Sequence, residues 1–143
     1  MVNLKNILFI LSLFLMLTGC TTIAPYSQKS YEYATTIKVE ALTLLGKSAD
    51  EDFDSNKAKV DALIMDVNVA YEYANGIPKN TDITRMWAIL KDEKQKGSLF
   101  YTLNKWKEKH KFDRAFVDED MKKIAQEFDQ IIELETGKNK ASK

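Results

Sequence analysis

The sequence predicts an all-α fold, an antiparallel bundle of four to five helices. Apolar residues recur at steps of three and four positions in successive segments, which is the spacing of one helix face. No segment alternates convincingly between apolar and polar residues, as a half-buried strand would. The breaks between the periodic segments are short, and short connections favour antiparallel neighbours.

The first predicted helix follows Pro25, a residue that suits the first helical turn. Its apolar face consists of Ala34, Ile37, Ala41, Leu44 and Leu45. Gly46 and the acidic cluster at 50–52 then interrupt the periodicity, so we expect the helix to end there.

The second helix has the clearest apolar stripe of the chain. Its members are Phe53, Val60, Leu63, Ile64, Val67, Tyr71 and Ala74. Gly76 is expected to supply the left-handed residue that follows the helix, and Pro78 prevents the helix from continuing.

A third periodic region begins after Asn80 or Thr81, either of which could cap it. Its apolar residues are Ile83, Met86, Trp87 and Leu90, followed by Leu99, Phe100, Leu103 and Trp106. Gly97 and Ser98 lie between the two groups. Residues 82–110 therefore form either one kinked helix or two, and the break favours two.

The last helix follows a loop around 111–117. Its stripe contains Val117, Met121, Ile124, Phe128, Ile131 and Ile132. The acidic residues at 118–120 suit the positive end of the helix dipole, and Gly137 is expected to end the helix. These patterns predict a bundle domain over 26–137 and a polar tail over 138–143.

The first nineteen residues have the pattern of a cleaved signal peptide. The amino group and Lys5 form a positive region, and Ser12 is the only polar residue between Ile7 and Leu17. A helix that spans a membrane needs roughly 20 predominantly apolar residues. This run is shorter, so it fits an export signal better than a membrane span.

The sequence Leu17-Thr18-Gly19-Cys20 resembles the lipobox of bacterial lipoproteins. The resemblance implies that the Cys20 thiol receives a diacylglyceryl group and that cleavage after Gly19 makes Cys20 the new N-terminus. Residues 20–25 would then be a lipidated tether, because two or three acyl chains anchor firmly where one binds marginally. The alternative is an ordinary signal peptide in which Cys20 is incidental.

This resemblance also implies a location. Acyl chains on Cys20 would anchor the protein to a membrane of the cell envelope. In Gram-negative bacteria an Asp after the lipidated cysteine commonly retains lipoproteins in the inner membrane. Thr21 stands there, so by that analogy the periplasmic face of the outer membrane is favoured if the envelope is Gram-negative.

Composition excludes several classes of function. Cys20 is the only cysteine, so its acylation would leave no thiol for disulfides, zinc binding or nucleophilic catalysis. Loss of Lys5 with the signal peptide would leave 20 basic and 21 acidic residues. This near balance gives no overall field that attracts nucleic acid, so no nucleic-acid partner is expected.

No constellation of catalytic or metal-binding residues stands out. His110 is the only histidine, and Lys107 occupies the position where a helical di-iron motif needs Glu. The acidic residues Asp50, Asp52, Asp54 and Asp61 have the spacing of an EF-hand loop. Ser55 replaces the Gly of that loop and Asp61 its bidentate Glu, so an acidic helix start is the better interpretation. We therefore expect no enzyme, no cofactor and no metal site.

The most localised charge lies in the region 79–114, which contains ten basic and five acidic residues. Within it, Lys105, Trp106, Lys107, Lys109 and Lys111 form a candidate interaction surface for an anionic lipid or an envelope protein. The alternative, and the more ordinary arrangement, is a solvated helix face with Trp106 turned into the core.

Two functions follow from these patterns as expectations. The first is a non-catalytic binding or scaffolding module on a lipid anchor. The second is a carrier bundle that holds a lipid or another hydrophobic ligand between its helices, with Tyr31, Tyr33, Tyr71 and Tyr73 as lining residues. A cavity within the bundle would favour the carrier, and a filled core would favour the scaffold.

Overall fold

The structure, a computed structural model, describes residues 23–141. Its helices are α1 (Gln28–Lys47), α2 (Phe53–Asn75), α3 (Thr81–Leu90), α4 (Leu99–Lys109) and α5 (Arg114–Ala141). Over this range no residue is in a strand. The predicted signal peptide and Cys20 lie outside the described residues.

The helices form an antiparallel bundle. Helix α1 packs between α2 and α5, and α3 also packs between α2 and α5, while α4 continues along α2. Direction follows from side-chain contacts between α1 and α5. Arg114, at the start of α5, binds the Gly46 carbonyl near the end of α1, whereas Glu135 binds the backbone of Ser27 before the start of α1. The predicted all-α bundle is confirmed.

The apolar stripes meet in one continuous core. Trp87 and Phe128 contact edge to face with ring centres 5.8 Å apart, and Phe53 meets Trp106 in the same way at 5.7 Å. Trp87, Trp106 and Phe128 are all at most 1% exposed. Buried aromatic rings of this size contribute a large share of the hydrophobic stabilisation.

The region 82–110 forms two helices, α3 and α4, as the break at Gly97 and Ser98 favoured. Gly97 adopts φ +88°, a backbone conformation that residues other than glycine rarely take. Ser98 is the N-cap of α4, and its hydroxyl accepts a hydrogen bond from the Tyr101 amide at 3.2 Å. Gly97 and Ser98 therefore end the connection that follows α3 and start α4.

Two predictions about chain breaks were wrong. Gly137 does not end α5, which continues to Ala141 because Lys138 in the following turn is buried and hydrogen-bonded. Gly76 has φ −74°, so it is not the left-handed residue after α2. Lys79 adopts the left-handed conformation instead, with φ 62°. The Lys79 carbonyl accepts a hydrogen bond from the Ala24 amide.

The packed body also begins earlier than predicted. Ala24, assigned to the tether at 20–25, is 1% exposed. The polar tail predicted over 138–143 likewise begins inside α5, and its last two residues lie outside the described range. Among the described helices, none combines the length and hydrophobicity needed to cross a bilayer.

Candidate functional site

The N-terminal segment 23–27, which we call the strap, is bound across one end of the bundle. The Ala24 amide donates to the Lys79 carbonyl at 3.1 Å, and the Ser27 amide donates to Glu135 Oε1 at 2.6 Å. The Ser27 hydroxyl also lies 2.9 Å from the Tyr73 hydroxyl. These bonds fix the strap to the α2–α3 turn, to α5 and to α2.

A buried ion pair lies beneath the strap. Lys138 Nζ donates to Glu135 Oε2 at 3.0 Å and to Asn80 Oδ1 at 2.7 Å, while Asn80 Nδ2 donates to the Ala74 carbonyl at 3.1 Å. Glu135 is 0% and Lys138 7% exposed, so each charge depends on its partners rather than on water. We call these three side chains, together with Ser27, the strap network.

The predicted basic surface is only partly a surface. Lys107, Lys109 and Lys111 are exposed and Lys105 is half-buried, but Trp106 is 0% exposed. The Trp106 indole N–H donates to two backbone carbonyls, those of Glu51 at 3.2 Å and His110 at 3.0 Å. Of the two arrangements considered for this segment, the structure therefore has the more ordinary one, with Trp106 turned into the core and its polar atom satisfied inside the bundle.

An acidic neighbour further limits the basic character of this surface. Lys105 forms an ion pair with Glu108, and the hydrogen bond from Lys105 to Glu108 raises the pKa of Lys105. The groove beside these residues also contains Glu93. Three lysines remain outward and free of a described ion pair among the five residues of the predicted surface: Lys107, Lys109 and Lys111.

The strap and the basic surface lie at opposite ends of α1. The strap precedes the first residue of α1, whereas Phe112, next to Lys111, donates its amide to the carbonyl of Ser48 at the far end. Twenty helical residues separate these two ends, a length of about 30 Å. The structure therefore does not bring the predicted surface near the tether.

The remaining predicted candidates do not converge on a reactive site. His110 is exposed, caps the end of α4 with φ 63°, and contributes its backbone carbonyl to Trp106. Asp52 is the N-cap position of α2 and Asp54 lies in its first turn, as expected for an acidic helix start. Within 23–141 no group of three or more His, Cys, Asp or Glu side chains could hold a metal ion.

The four tyrosines proposed as cavity lining lie at the outside of the bundle. Tyr33 and Tyr73 contact each other edge to face at 5.5 Å, and Tyr73 binds the strap. Tyr71 lies beneath the Lys91 ammonium group at 3.9 Å. Each of the four is at least partly exposed, so they do not surround an internal ligand.

Sequence reasoning missed two apolar surfaces. One is a groove of about 490 Å³ beside the strap, lined by Ile23, Ile83 and Leu134 among others. The other is a crevice of about 430 Å³ between α1 and α2, lined by Val39, Leu44, Ala62 and Leu63 among others. A second set of apolar residues on α2, at three- and four-residue steps from Ala58 to Tyr73, could have indicated the crevice.

The carboxyl group of Glu127 has a raised pKa. Burial raises the pKa of Glu127 to about 7 from an ordinary value of 4.5. Its Oε2 atom is buried and has no hydrogen-bond partner among the described residues. A lone carboxyl in this setting favours its neutral form, so its burial costs folding free energy that grows as the pH rises from about 4.5 to about 7.

Comparisons with protein-family models, with curated proteins and with solved structures find no match to this chain.

Proposed function

We propose that this protein is a lipid-anchored envelope protein whose helical bundle is a non-catalytic binding or scaffolding module. The resemblance of residues 17–20 to a lipobox supports the anchor. One observation about the body carries the rest, namely that the chain joins the packed bundle at Ala24. Only four residue steps separate Cys20 from Ala24, and these span at most about 14 Å.

So short a connection suits a scaffold held at the membrane surface. A long flexible linker would let the body search a large volume, whereas this chain is bound to the bundle from Ala24 through Ser27. Acyl chains on Cys20 would therefore hold the strap end of the bundle close to the bilayer. Because Thr21 rather than Asp follows Cys20, the outer membrane is the favoured location in a Gram-negative cell.

Acylation of Cys20 is the first test. The mass of the mature protein should correspond to a chain that begins at Cys20 and carries two or three acyl groups, and Cys20→Ser should move the protein out of the membrane fraction. A mature chain with a free Cys20 thiol, or membrane association that survives Cys20→Ser, would contradict the anchor.

The posture of the bundle can be tested with the same preparation. Lipidation would consume the natural thiol, so a cysteine introduced at Leu134 or at Lys109 would be unique and could carry an environment-sensitive fluorophore. With the protein in vesicles that contain spin-labelled lipids, we expect quenching at position 134, beside the strap, and little at position 109. Equal quenching at both positions would show that the bundle lies flat.

The basic surface needs its own test as a binding site. Charge reversal by Lys105→Glu with Lys109→Glu should release a co-purifying acidic partner, because like charges facing each other oppose association. If every co-purifying protein stays bound, this surface does not carry the scaffold function.

The carrier hypothesis receives less support from the interior. The buried side chains of Trp87, Trp106 and Phe128 fill the core. The grooves beside the strap, between α1 and α2 and beside Lys105 lie at the outer surface. A ligand held between the helices would need a space that these rings occupy. A purified protein that retains lipid other than its own acyl chains, detected by mass spectrometry, would restore this hypothesis.

A further inference from the structure

A groove opens at the strap end of the bundle, between the strap, α3 and α5, and we call it the strap groove. Its apolar lining comes from Ile23 on the strap, Ile83 on α3 and Leu134 on α5. Ile83 is 2% exposed, whereas Ile23 is 44% and Leu134 40% exposed. Three separate parts of the chain thus turn apolar surface toward one space, as in sites that bind apolar ligands.

Gly137 leaves part of this groove open. It lines the groove, and apart from the adjoining backbone of α5 a β-carbon there would meet no atom of the described residues within 4 Å. Gly137 lies within α5 and has no positive φ, so neither a turn nor a crowded contact requires a glycine. Glycine costs stability inside a helix, but it lets a ligand approach the backbone closely. The missing side chain therefore leaves room for a ligand at the wall of the groove.

Charges around the strap groove do not favour a charged ligand. The lining contains two basic and two acidic side chains, Lys79 and Lys138 against Asp82 and Glu133. Lys138 Nζ is bound within the strap network, and Asp82 Oδ1 lies 3.9 Å from Arg85 Nη1. Because the two signs balance, neither an anionic headgroup nor a cation is favoured over an uncharged chain.

The strap brings the N-terminal part of the chain to the rim of this groove. The Ala24 amide is bound to the carbonyl of Lys79, and Lys79 itself lines the groove. Ile23, the first residue that the structure describes, also lines it. Cys20 precedes Ile23 by three residue steps, which span at most about 11 Å. A group attached to Cys20 is therefore confined to the surroundings of the groove.

We propose that the strap groove binds one acyl chain of Cys20 when the protein has left the bilayer. This inference rests on the proposed lipid anchor. The groove volume of about 490 Å³ is within the range of sites for small ligands. A ligand on a short tether has an effective concentration in the millimolar range. A free lipid, a peptide or a second copy of the chain would have to reach that concentration in solution to compete.

The groove and the bilayer would compete for the same acyl chain. Two or three chains in the bilayer hold a protein firmly, whereas a single chain holds it only marginally. Binding of one chain in the groove therefore weakens the anchor and shields that chain from water after release. The apolar segment 7–17 cannot take this role in the mature protein, because cleavage after Gly19 would remove it.

Photo-crosslinking within the lipidated protein tests the proposal. Cells that make the full chain are grown with a fatty acid that carries a photoreactive diazirine, and mass spectrometry selects mature molecules that carry it on Cys20. After detergent is removed and the sample is irradiated, we expect the acyl chain to be joined to peptides that contain Ile83 or Leu134 of the same molecule. The yield should not fall on dilution, because the ligand is tethered.

A groove-filling variant then tests the site itself. Gly137→Phe places a ring in the groove and should lower the crosslink yield by about tenfold, equivalent to a tenfold loss of affinity. Lys122→Phe introduces the same side chain at an exposed site elsewhere on α5 and should leave the yield unchanged. Leu134→Gln removes apolar lining without filling the groove, and it should lower the yield to Ile83 several-fold. Far-ultraviolet circular dichroism confirms that the variants fold.

The outcomes separate this inference from the anchor on which it rests. A mature protein with an unmodified Cys20 would overturn both proposals. An acylated Cys20 whose chain crosslinks to the α1–α2 crevice, to a second copy of the chain or to no peptide would overturn the inference alone. So would a crosslink yield that the folded Gly137→Phe and Leu134→Gln variants leave unchanged.

Discussion

Replacing Lys138 with Met should destabilise the bundle far more than its place near the C-terminus suggests. The substitution keeps a long aliphatic side chain but removes the ammonium group that binds Glu135 and Asn80. Glu135 is 0% exposed, so its carboxylate would be left buried with the Ser27 amide as its remaining described donor. The perturbation therefore isolates the charge from the bulk of the side chain.

The size of the effect follows from the burial of the pair. Removal of one member of a buried ion pair costs about 3–5 kcal/mol, because the other charge loses its compensation. Since the Ser27 amide still binds Glu135, we expect the lower end, about 3 kcal/mol. For a domain of this size that loss lowers Tm by about 12 °C, at roughly 4 °C per kcal/mol.

Urea unfolding of the purified protein, followed by circular dichroism and by tryptophan fluorescence, measures this loss. Lys140→Met is the matched control, since Lys140 is an exposed lysine of the same helix turn, and it should change the free energy of unfolding by less than about 0.5 kcal/mol. Adding Glu135→Gln to Lys138→Met should recover stability, because the uncompensated charge is then gone. Equal stability of the Lys138 and Lys140 variants would refute the reasoning.

Three further variants test other parts of the bundle. Trp106→Phe should cost about 2 kcal/mol in urea unfolding, because it removes buried volume and the indole bonds to two backbone carbonyls. Because the pKa of Glu127 is raised, its contribution to the free energy of unfolding is fully favourable below about pH 4.5 and is lost as the pH rises through about 7. After allowance for its partial exposure, Glu127→Gln should therefore stabilise by about 1 kcal/mol at pH 8 and by little at pH 4.5, in unfolding curves at both values. His110→Gly should raise Tm by a few degrees, worth about 1 kcal/mol, since φ 63° strains a residue with a side chain, whereas Lys91→Gly at φ −85° should not.

Local patterns predicted most of the fold because helices are local structures. The first stripe of α2 buries Phe53, Val60, Leu63, Val67 and Ala74, all of which the 3.6-residue period selects. The separation of α3 from α4 was also readable, because Gly97 and Ser98 act within one turn of the chain. Such features need no knowledge of the rest of the molecule.

The errors arose where a distant residue decides the local outcome. Gly137 and the lysines after it look like a polar tail until Asn80, 58 positions away from Lys138, supplies an acceptor. The left-handed residue moved from Gly76 to Lys79 in a turn that the strap holds through the Ala24 amide. The same holds for the α1–α2 crevice, which exists only because residues of two separate helices are brought side by side.

The distance between the strap and the basic surface changes what the lysines can do. If Cys20 anchors the chain and the bundle stands upright, Lys107 and Lys109 lie about 30 Å from the strap end, the length of α1. At physiological ionic strength the screening length is about 8 Å, so the headgroups of that membrane would exert almost no attraction on them. In the upright posture the lysines are thus available to an acidic partner rather than to the membrane. The α1–α2 crevice, which runs along the bundle axis, is then accessible between the membrane and the end of the bundle away from the strap. A flat posture would instead place one long face against lipid, and the labels at positions 134 and 109 distinguish the two.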